Sequence, residues 1–203
     1  MGAEAKCLAR VRGREARGTA RLETETLQFR GGDLRLAIPF GKMTSVTASD
    51  GVLRVRSAEG SAAFELGAAA EKWAEKIKHP PSRLQKLGVR AEWRVSAIGV
   101  DDEEFLAELE GAVAQLSIGR IVKPSSAIFF GATKEAQLAR LEKLKAAIEP
   151  NGAIWVIRPK GRKEISESAV MAAGKAAGLV DVKVVGFSAT HTAEKFVIPV
   201  ANR

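Results

Sequence analysis

Along the first 66 residues, polar and apolar positions alternate in short runs broken by glycine. Residues 6–13, 16–25, 26–30, 34–40, 44–48, 51–57 and 61–66 each read as a strand, because period-two patterning buries one face and wets the other. In 51–56, Leu53 and Val55 alternate with Val52, Arg54 and Arg56. Gly31-Gly32-Asp33, Ser49-Asp50-Gly51 and Glu59-Gly60 supply turns. The period then becomes helical. In 67–78, Ala70, Trp73, Ala74 and Ile77 share one face, Lys76 and Lys78 sit near the end where cations suit the dipole, and Pro80-Pro81 stops the helix. The pattern predicts an antiparallel sheet or barrel closed by one helix, with Trp73 plugging its open end.

From residue 82 onward, strands and helices alternate, which predicts a parallel α/β sheet. The expected strands are 94–99, a weak 114–118, 127–130, 153–157, 182–187 and 195–200. The expected helices are 101–111, 133–148 and 166–177. Phe105, Leu106 and Leu109 face inward in the first helix, with Asp101 as N-cap and Asp102, Glu103 and Glu104 crowding its positive end. Leu138, Leu141, Leu144, Lys145 and Ile148 space the second; Glu149-Pro150-Asn151-Gly152 stops it. Gly178 ends the third. The expected organisation is mixed α+β and α/β. It has a sheet domain at 1–80, a linker at 81–93 whose stretch 82–88 is a candidate helix, and at 94–203 a compact Rossmann-like three-layer α/β domain ending in an antiparallel strand pair.

Composition narrows the chemistry. The 203 residues are 46% hydrophobic and 28% charged, an ordinary globular balance. One cysteine, Cys7, excludes an internal disulfide framework and a multi-Cys zinc site; it reads as a small buried hydrophobe. Two histidines, His79 and His191, argue against a His-rich metal centre, and no metal is expected. His79 reads as a helix C-terminal cation or cap, and Trp93 and Trp155 as core or interface residues. No apolar run reaches a membrane span, and the first ten residues lack a secretory core, so a cytoplasmic protein is expected. The net charge is +8, with 15 basic and 10 acidic groups in 1–83, and 17 and 14 in 84–203. Such an excess attracts nucleic acid, anionic lipid or acidic partners; a solvated mixed-sign surface is the stronger reading. There is no helix-turn-helix, zinc-finger or aromatic RNA-binding signature. Arg10, Arg12, Arg14, Arg17 and Arg21 cluster, and alternation places the first three on one face. A solvated outer sheet face is the stronger reading, an anionic surface the other.

Three stretches are candidates for chemistry. Gly99-Val100-Asp101-Asp102-Glu103-Glu104 follows the first strand of the α/β region, where a nucleotide site needs glycines. Only Gly99 is present, and the acids would repel a pyrophosphate. An acid can still bind a ribose hydroxyl or an amino group. Arg158, Lys160, Arg162 and Lys163 follow the central strand. Open α/β sheets place ligands at that end, so phosphate, carboxylate or nucleic-acid backbone is a candidate partner. In 188–195, His191 is a candidate general acid or base and Lys195 a candidate anion contact. No GxSxG elbow accompanies them.

The order of the first domain resembles the pleckstrin-homology-like and GRAM-like superfold, by pattern alone. KWAEKIKHPPSRLQKLGV at 72–89, IGVDDEEFLAEL at 98–109, IFFGA at 128–132, LKAAIEPNGAIWVIRPKGRKEI at 144–165 and AAGLVDVKVVGFSATHTAEKFVIP at 176–199 together resemble the bacterial domain-of-unknown-function family DUF 3052 over about 84–201. That resemblance implies a fold and no activity. The same region is similar to a trimmed class I methyltransferase sheet. Pro150-Asn151-Gly152 and AIWVIRP match its later half, while 94–127 is too short for all its early elements. The expectation carried forward is a non-catalytic binding or adaptor protein without a cofactor. It would recognise an anionic small molecule or acidic protein partner through Arg158, Lys160, Arg162, Lys163 and Lys195. The alternatives are a divergent methyltransferase-like transferase using a nucleotide-like cofactor, with His191 as base and Gly99, Asp101 and Asp102 as cofactor contacts, and a nucleic-acid binder.

Overall fold

A computed structural model describes residues 2–203, which divide into two units at Pro81 and Ser82. The first unit is a curled seven-stranded antiparallel sheet. Its strands are β1 (Ala3–Val11), β2 (Arg14–Leu22), β3 (Thr26–Gly31), β4 (Leu34–Pro39), β5 (Met43–Ser49), β6 (Val52–Ser57) and β7 (Gly60–Glu65). Their order is β4-β3-β2-β1-β7-β6-β5. Helix α1 (Ala70–Lys78) buries Ala70, Trp73, Ala74 and Ile77, the face that the spacing predicts. These side chains join Leu27, Phe29, Leu53 and Phe64 in one core. The chain crosses between the paired β1 and β2 on Arg12 and Gly13, and between β5 and β6 on Asp50 and Gly51, all four at positive φ.

The second unit is a six-stranded sheet built from β8 (Arg94–Ile98), β9 (Gln115–Ile118), β10 (Ser125–Gly131), β11 (Ile148–Pro159), β12 (Val180–Gly186) and β13 (His191–Val197). The order is β12-β13-β11-β10-β8-β9. β9, β8, β10 and β11 run parallel, and β13 enters antiparallel between β11 and β12. One face carries Ile128, Phe130, Ile154, Val156 and Phe196 against α4 (Leu141–Lys145) and α5 (Glu167–Ala176). The other carries Val95, Phe129, Trp155 and Ile157 against α2 (Arg83–Leu87) and α3 (Glu103–Glu110). β10 and the middle of β11 are therefore buried on both sides, as their apolar runs require.

Local chemistry moves several expected boundaries. The stretch 81–93 contains α2, which is closed by a reciprocal capping box between Ser82 and Gln85 and buries Leu87 in the second core. Asp102, not Asp101, caps α3: its Oδ1 accepts the Phe105 N–H at 2.8 Å. The helix expected over 133–148 is shorter. The Gln137 Oε1 accepts the N–H groups of Thr133 and Lys134 at 2.8 and 2.9 Å, and a 3-10 turn at Glu135–Arg140 leads into α4. Glu149-Pro150-Asn151-Gly152 does not end an element but bulges inside β11. Pairing passes from Ser125–Ile148 directly to Ala127–Ala153. α5 ends in a Schellman pattern, with Gly178 at φ +68, its N–H bonded to Lys175 O at 2.9 Å and Leu179 N–H to Gly174 O at 3.0 Å. The last strand begins at His191, so the connection that carries chemistry is a tight turn over 187–190 and not the longer loop expected over 188–194.

Candidate functional site

The carboxyl ends of β8, β10 and β11 open into a cleft of 380 Å³, whose far wall is the β12–β13 turn. Gly99 and Gly131 form its floor. A Cβ at Gly131 would lie 1.9 Å from Gly99 O and 2.6 Å from Gly99 C, so these strand ends approach backbone to backbone. Gly99 itself adopts φ +65 to turn the chain into α3. Ala132 and Thr133 continue one side, and Phe187, Ser188, Thr190 and His191 the other. This is where open parallel sheets place their ligands, and the volume lies in the range of small-molecule sites.

The rim near α3 is acidic. Asp101 is exposed and makes no ion pair among the described residues. Asp102 is committed to the fold: besides its cap, its Oδ2 accepts from Arg83 Nη1 at 2.7 Å. Arg83 also reaches Glu108 at 3.0 Å, and its guanidinium stacks over Phe105 and Phe187 at 5.0 and 5.1 Å. It ties α2 to the wall of the cleft, a role that no pattern in the sequence discloses. Asp102, Glu103 and Glu104 already occupy the first turn of α3. The cleft therefore suits a neutral or cationic ligand and disfavours a pyrophosphate.

The opposite rim holds His191. Its Nδ1 lies 2.9 Å from Thr190 Oγ1, and its backbone N–H donates to Ser188 Oγ at 3.1 Å. The turn is tied down by Lys160, whose Nζ donates to Ser188 O at 2.7 Å and Ala189 O at 3.3 Å and whose N–H donates to Thr190 O at 2.8 Å. Lys160 thus holds the wall in place; its ammonium already has acceptors.

The remaining cations expected to form an anion site do not converge. Arg158 is buried, and its Nη2 pairs with Glu194 Oε1 at 2.9 Å and with Glu167 at 3.5 Å. Glu194 has no exposed surface. Burial raises its pKa from the ordinary 4.5, while Arg158 and the Thr192 hydroxyl pull the other way. Lys195 sits mid-strand in β13, opposite Trp155, on the other face of the sheet from Arg158, with Nζ 5.7 Å from the indole centre. Burial, reinforced by Lys183 and Arg90, lowers its pKa. Arg162 and Lys163 are exposed after β11. Gly99, Asp101, Asp102 and His191 do share one cleft. Among the described residues no group of three His, Cys, Asp or Glu side chains is placed to hold a metal ion, and no helix is long and apolar enough to cross a membrane.

No protein-family model and no curated protein sequence matches the chain. Among solved structures, it is similar to the calicheamicin-biosynthesis methyltransferase CalO1 in its S-adenosylhomocysteine-bound form, at 14% identity. That match covers 65% of this chain and 58% of CalO1, with a TM-score of 0.45. It is also similar to a TehB-like S-adenosylmethionine-dependent methyltransferase from Corynebacterium glutamicum (10% identity, 64% and 96% coverage, TM-score 0.44) and to a methyltransferase from Pyrococcus furiosus (15%, 56% and 78%, TM-score 0.40). The expectation of a non-catalytic adaptor without a cofactor is corrected here. The matched structures are methyltransferases, one of them holding S-adenosylhomocysteine. Within the chain, Arg158, Lys160 and Lys195, which carried the adaptor reading, are engaged inside the fold. With a parallel sheet closed by an antiparallel strand inserted next to its edge, the second unit is a Rossmann-like α/β sheet.

Proposed function

We propose that the second unit is a divergent transferase that holds a positively charged nucleoside cofactor of the S-adenosyl type. The observation that carries this reading is the cleft, where Asp101 and His191 line opposite rims across a floor of two touching glycines. A carboxylate that makes no ion pair among the described residues favours a cationic ligand, and the close approach of the strand ends at Gly99 and Gly131 leaves backbone rather than side chains along the cleft floor. Asp101 would hold the cofactor's ammonium or ribose hydroxyls. When bound, such a cofactor supplies an activated methyl group. His191 is placed to take a proton from the acceptor. The Nδ1–Thr190 Oγ1 contact is compatible with the tautomer in which Nδ1–H donates to the hydroxyl, and in that tautomer Nε2 is the basic atom. Lys160 and the Ser188 hydroxyl fix the imidazole's backbone, so that this orientation is held before substrate arrives.

Isothermal titration of the full chain with S-adenosylhomocysteine tests the reading. Saturable one-to-one binding is expected, weakened about tenfold or more by Asp101→Ala, which removes a charge-assisted contact. His191→Ala should leave that affinity within about twofold, because its role lies at the acceptor. Absence of binding, or binding indifferent to Asp101→Ala, overturns the proposal.

A further inference from the structure

A second candidate site lies on the first unit, on the sheet face turned away from the core. β7 runs between β1 and β6, and the register aligns Arg10, Ala63 and Arg54 across the three strands. The next row, Val11, Ala62 and Val55, belongs to the core; its neighbours on each strand therefore face outward. One step further, Ser61 pairs with Arg56, and the Arg12 N–H donates to Ser61 O at 3.3 Å. Adjacent strands lie about 4.8 Å apart, so the two arginine rows stand about 10 Å apart. The central strand offers only Ser61 and Ala63 between them. The result is a concavity of 270 Å³ walled by Arg10, Arg12, Arg54 and Arg56.

The charges there are unevenly compensated. Arg10 pairs with Glu15 and, at 3.1 Å, with Glu65. Arg12 meets Glu59 at 3.3 Å, both ends more than half exposed. Arg54 donates to Ser49 Oγ at 2.9 Å. Neither Arg54 nor Arg56 meets a carboxylate among the described residues.

The backbone supplies an independent observation. Arg12 lies at φ +52 and Gly13 at φ +79, a two-residue hairpin turn with both central residues left-handed. Asn, Asp or Gly take the first of these positions readily, whereas a long L side chain is strained there. The β5–β6 turn has the same signs of φ and uses Asp50 and Gly51. An arginine held in this unfavourable conformation, with its side chain over Gly60 and at the mouth of the concavity, is a residue whose side chain has a use.

We propose that this concavity binds a compact, multiply charged phosphoryl group, a diphosphate or a phosphomonoester. Arg54 and Arg56 are the primary clamp, since guanidinium forks match phosphate oxygens in pairs. Arg12 exchanges the exposed carboxylate of Glu59, a pair that holds little on its own, for the ligand. The site is confined to residues 10–63 and is independent of the cleft in the second unit.

Calorimetric titration of the full chain with sodium diphosphate is the test. One-to-one binding is expected. Arg54→Gln combined with Arg56→Gln should weaken it at least about tenfold, the effect of losing a charge-assisted contact, with the far-ultraviolet dichroism unchanged. Arg35→Gln, on β4, should leave it unchanged. Arg12→Asn should act in opposite directions: the first unit's melting temperature rises by a few degrees, because the turn is relieved, while diphosphate binding weakens. Co-sedimentation with phosphatidic acid vesicles that diphosphate competes away assigns the phosphoryl group to a lipid headgroup. Retained diphosphate binding without sedimentation assigns it to a soluble phosphoester. The proposal falls if diphosphate does not bind, or if the double variant binds it as wild type. It also falls if a polyaspartate peptide binds as tightly through the same arginines, which would make the surface a dock for acidic protein.

Discussion

Arg158 and Glu194 show how far a charged residue's role depends on its partner. In the sequence Arg158 leads a basic run after an apolar strand. In the fold it is buried beside a fully buried carboxylate; among the described residues neither the Glu194 Oε2 nor the Arg158 Nε has a hydrogen-bond partner. Removing one member of such a pair leaves an uncompensated buried charge, and Arg158→Met is expected to destabilise the second unit by about 3–5 kcal/mol near neutral pH. The pH dependence has a defined sign. Because burial raises the Glu194 pKa above 4.5, the native state holds its proton more tightly than the unfolded chain. The stability contributed by this group therefore falls as pH rises through the window above 4.5. Without Arg158 the desolvation acts unopposed and Glu194 protonates more readily. The loss caused by the substitution should then shrink as the pH is lowered toward 5. Urea unfolding of wild type and variant at pH 7.5 and pH 5 checks this; an equal loss at both would mean that Glu194 is already neutral beside Arg158. None of this was legible beforehand, because the partner lies 36 positions further along the chain and is placed there only by the β11–β13 register. By contrast, the alternation that placed Arg54 and Arg56 on one face of β6 was readable; that β7 would set them opposite Arg10 and Arg12 was not.

Elements whose own pattern decides their state were read well, and those closed by side-chain hydrogen bonds were not. The face of α1 follows from four apolar positions, and the end of α5 from Gly178. The start of β13 and the short span of α4 depend on Ser188, Lys160 and Gln137 reaching backbone groups, which spacing does not encode. The β12–β13 turn is the element on which the cleft depends most. Lys160→Met removes two charge-assisted contacts to the Ser188 and Ala189 carbonyls at an exposed site, a loss of about 1–2 kcal/mol that is local to the turn. Amide exchange over 187–191 should accelerate by about tenfold, while that of β10 and the centre of β11 stays unchanged. Hydrogen-exchange mass spectrometry resolves the two regions. Equal protection of 187–191 in the variant would mean that the backbone bonds of the turn suffice and that Lys160 does not position His191.

At the scale of the molecule, the partition of buried side chains sets the boundary. One core draws on residues between Cys7 and Ile77, and the other two on residues between Leu87 and Ile198; among the described residues no buried cluster spans Pro81 and Ser82. Each unit should therefore fold alone, and where the chain is cut should matter. A fragment of residues 82–203 keeps Ser82 as the cap of α2, Leu87 in the core and Arg83 on Asp102 and Glu108. A fragment of residues 94–203, which begins after the stretch whose sequence reads as a linker, loses all three. Removing Leu87 alone costs about 2–5 kcal/mol, and the orphaned Asp102 and Glu108 add to it. Scanning calorimetry of the fragments should give a cooperative transition for 1–81 and for 82–203, and a much lowered or absent one for 94–203. If 94–203 melted like 82–203, α2 would be an appendage and the cleft wall that Arg83 braces would have to be held from elsewhere. If 82–203 failed to melt cooperatively, the second unit would depend on the first for its stability, and the separate assignment of a phosphoryl site to one unit and a cofactor cleft to the other would lose its structural basis.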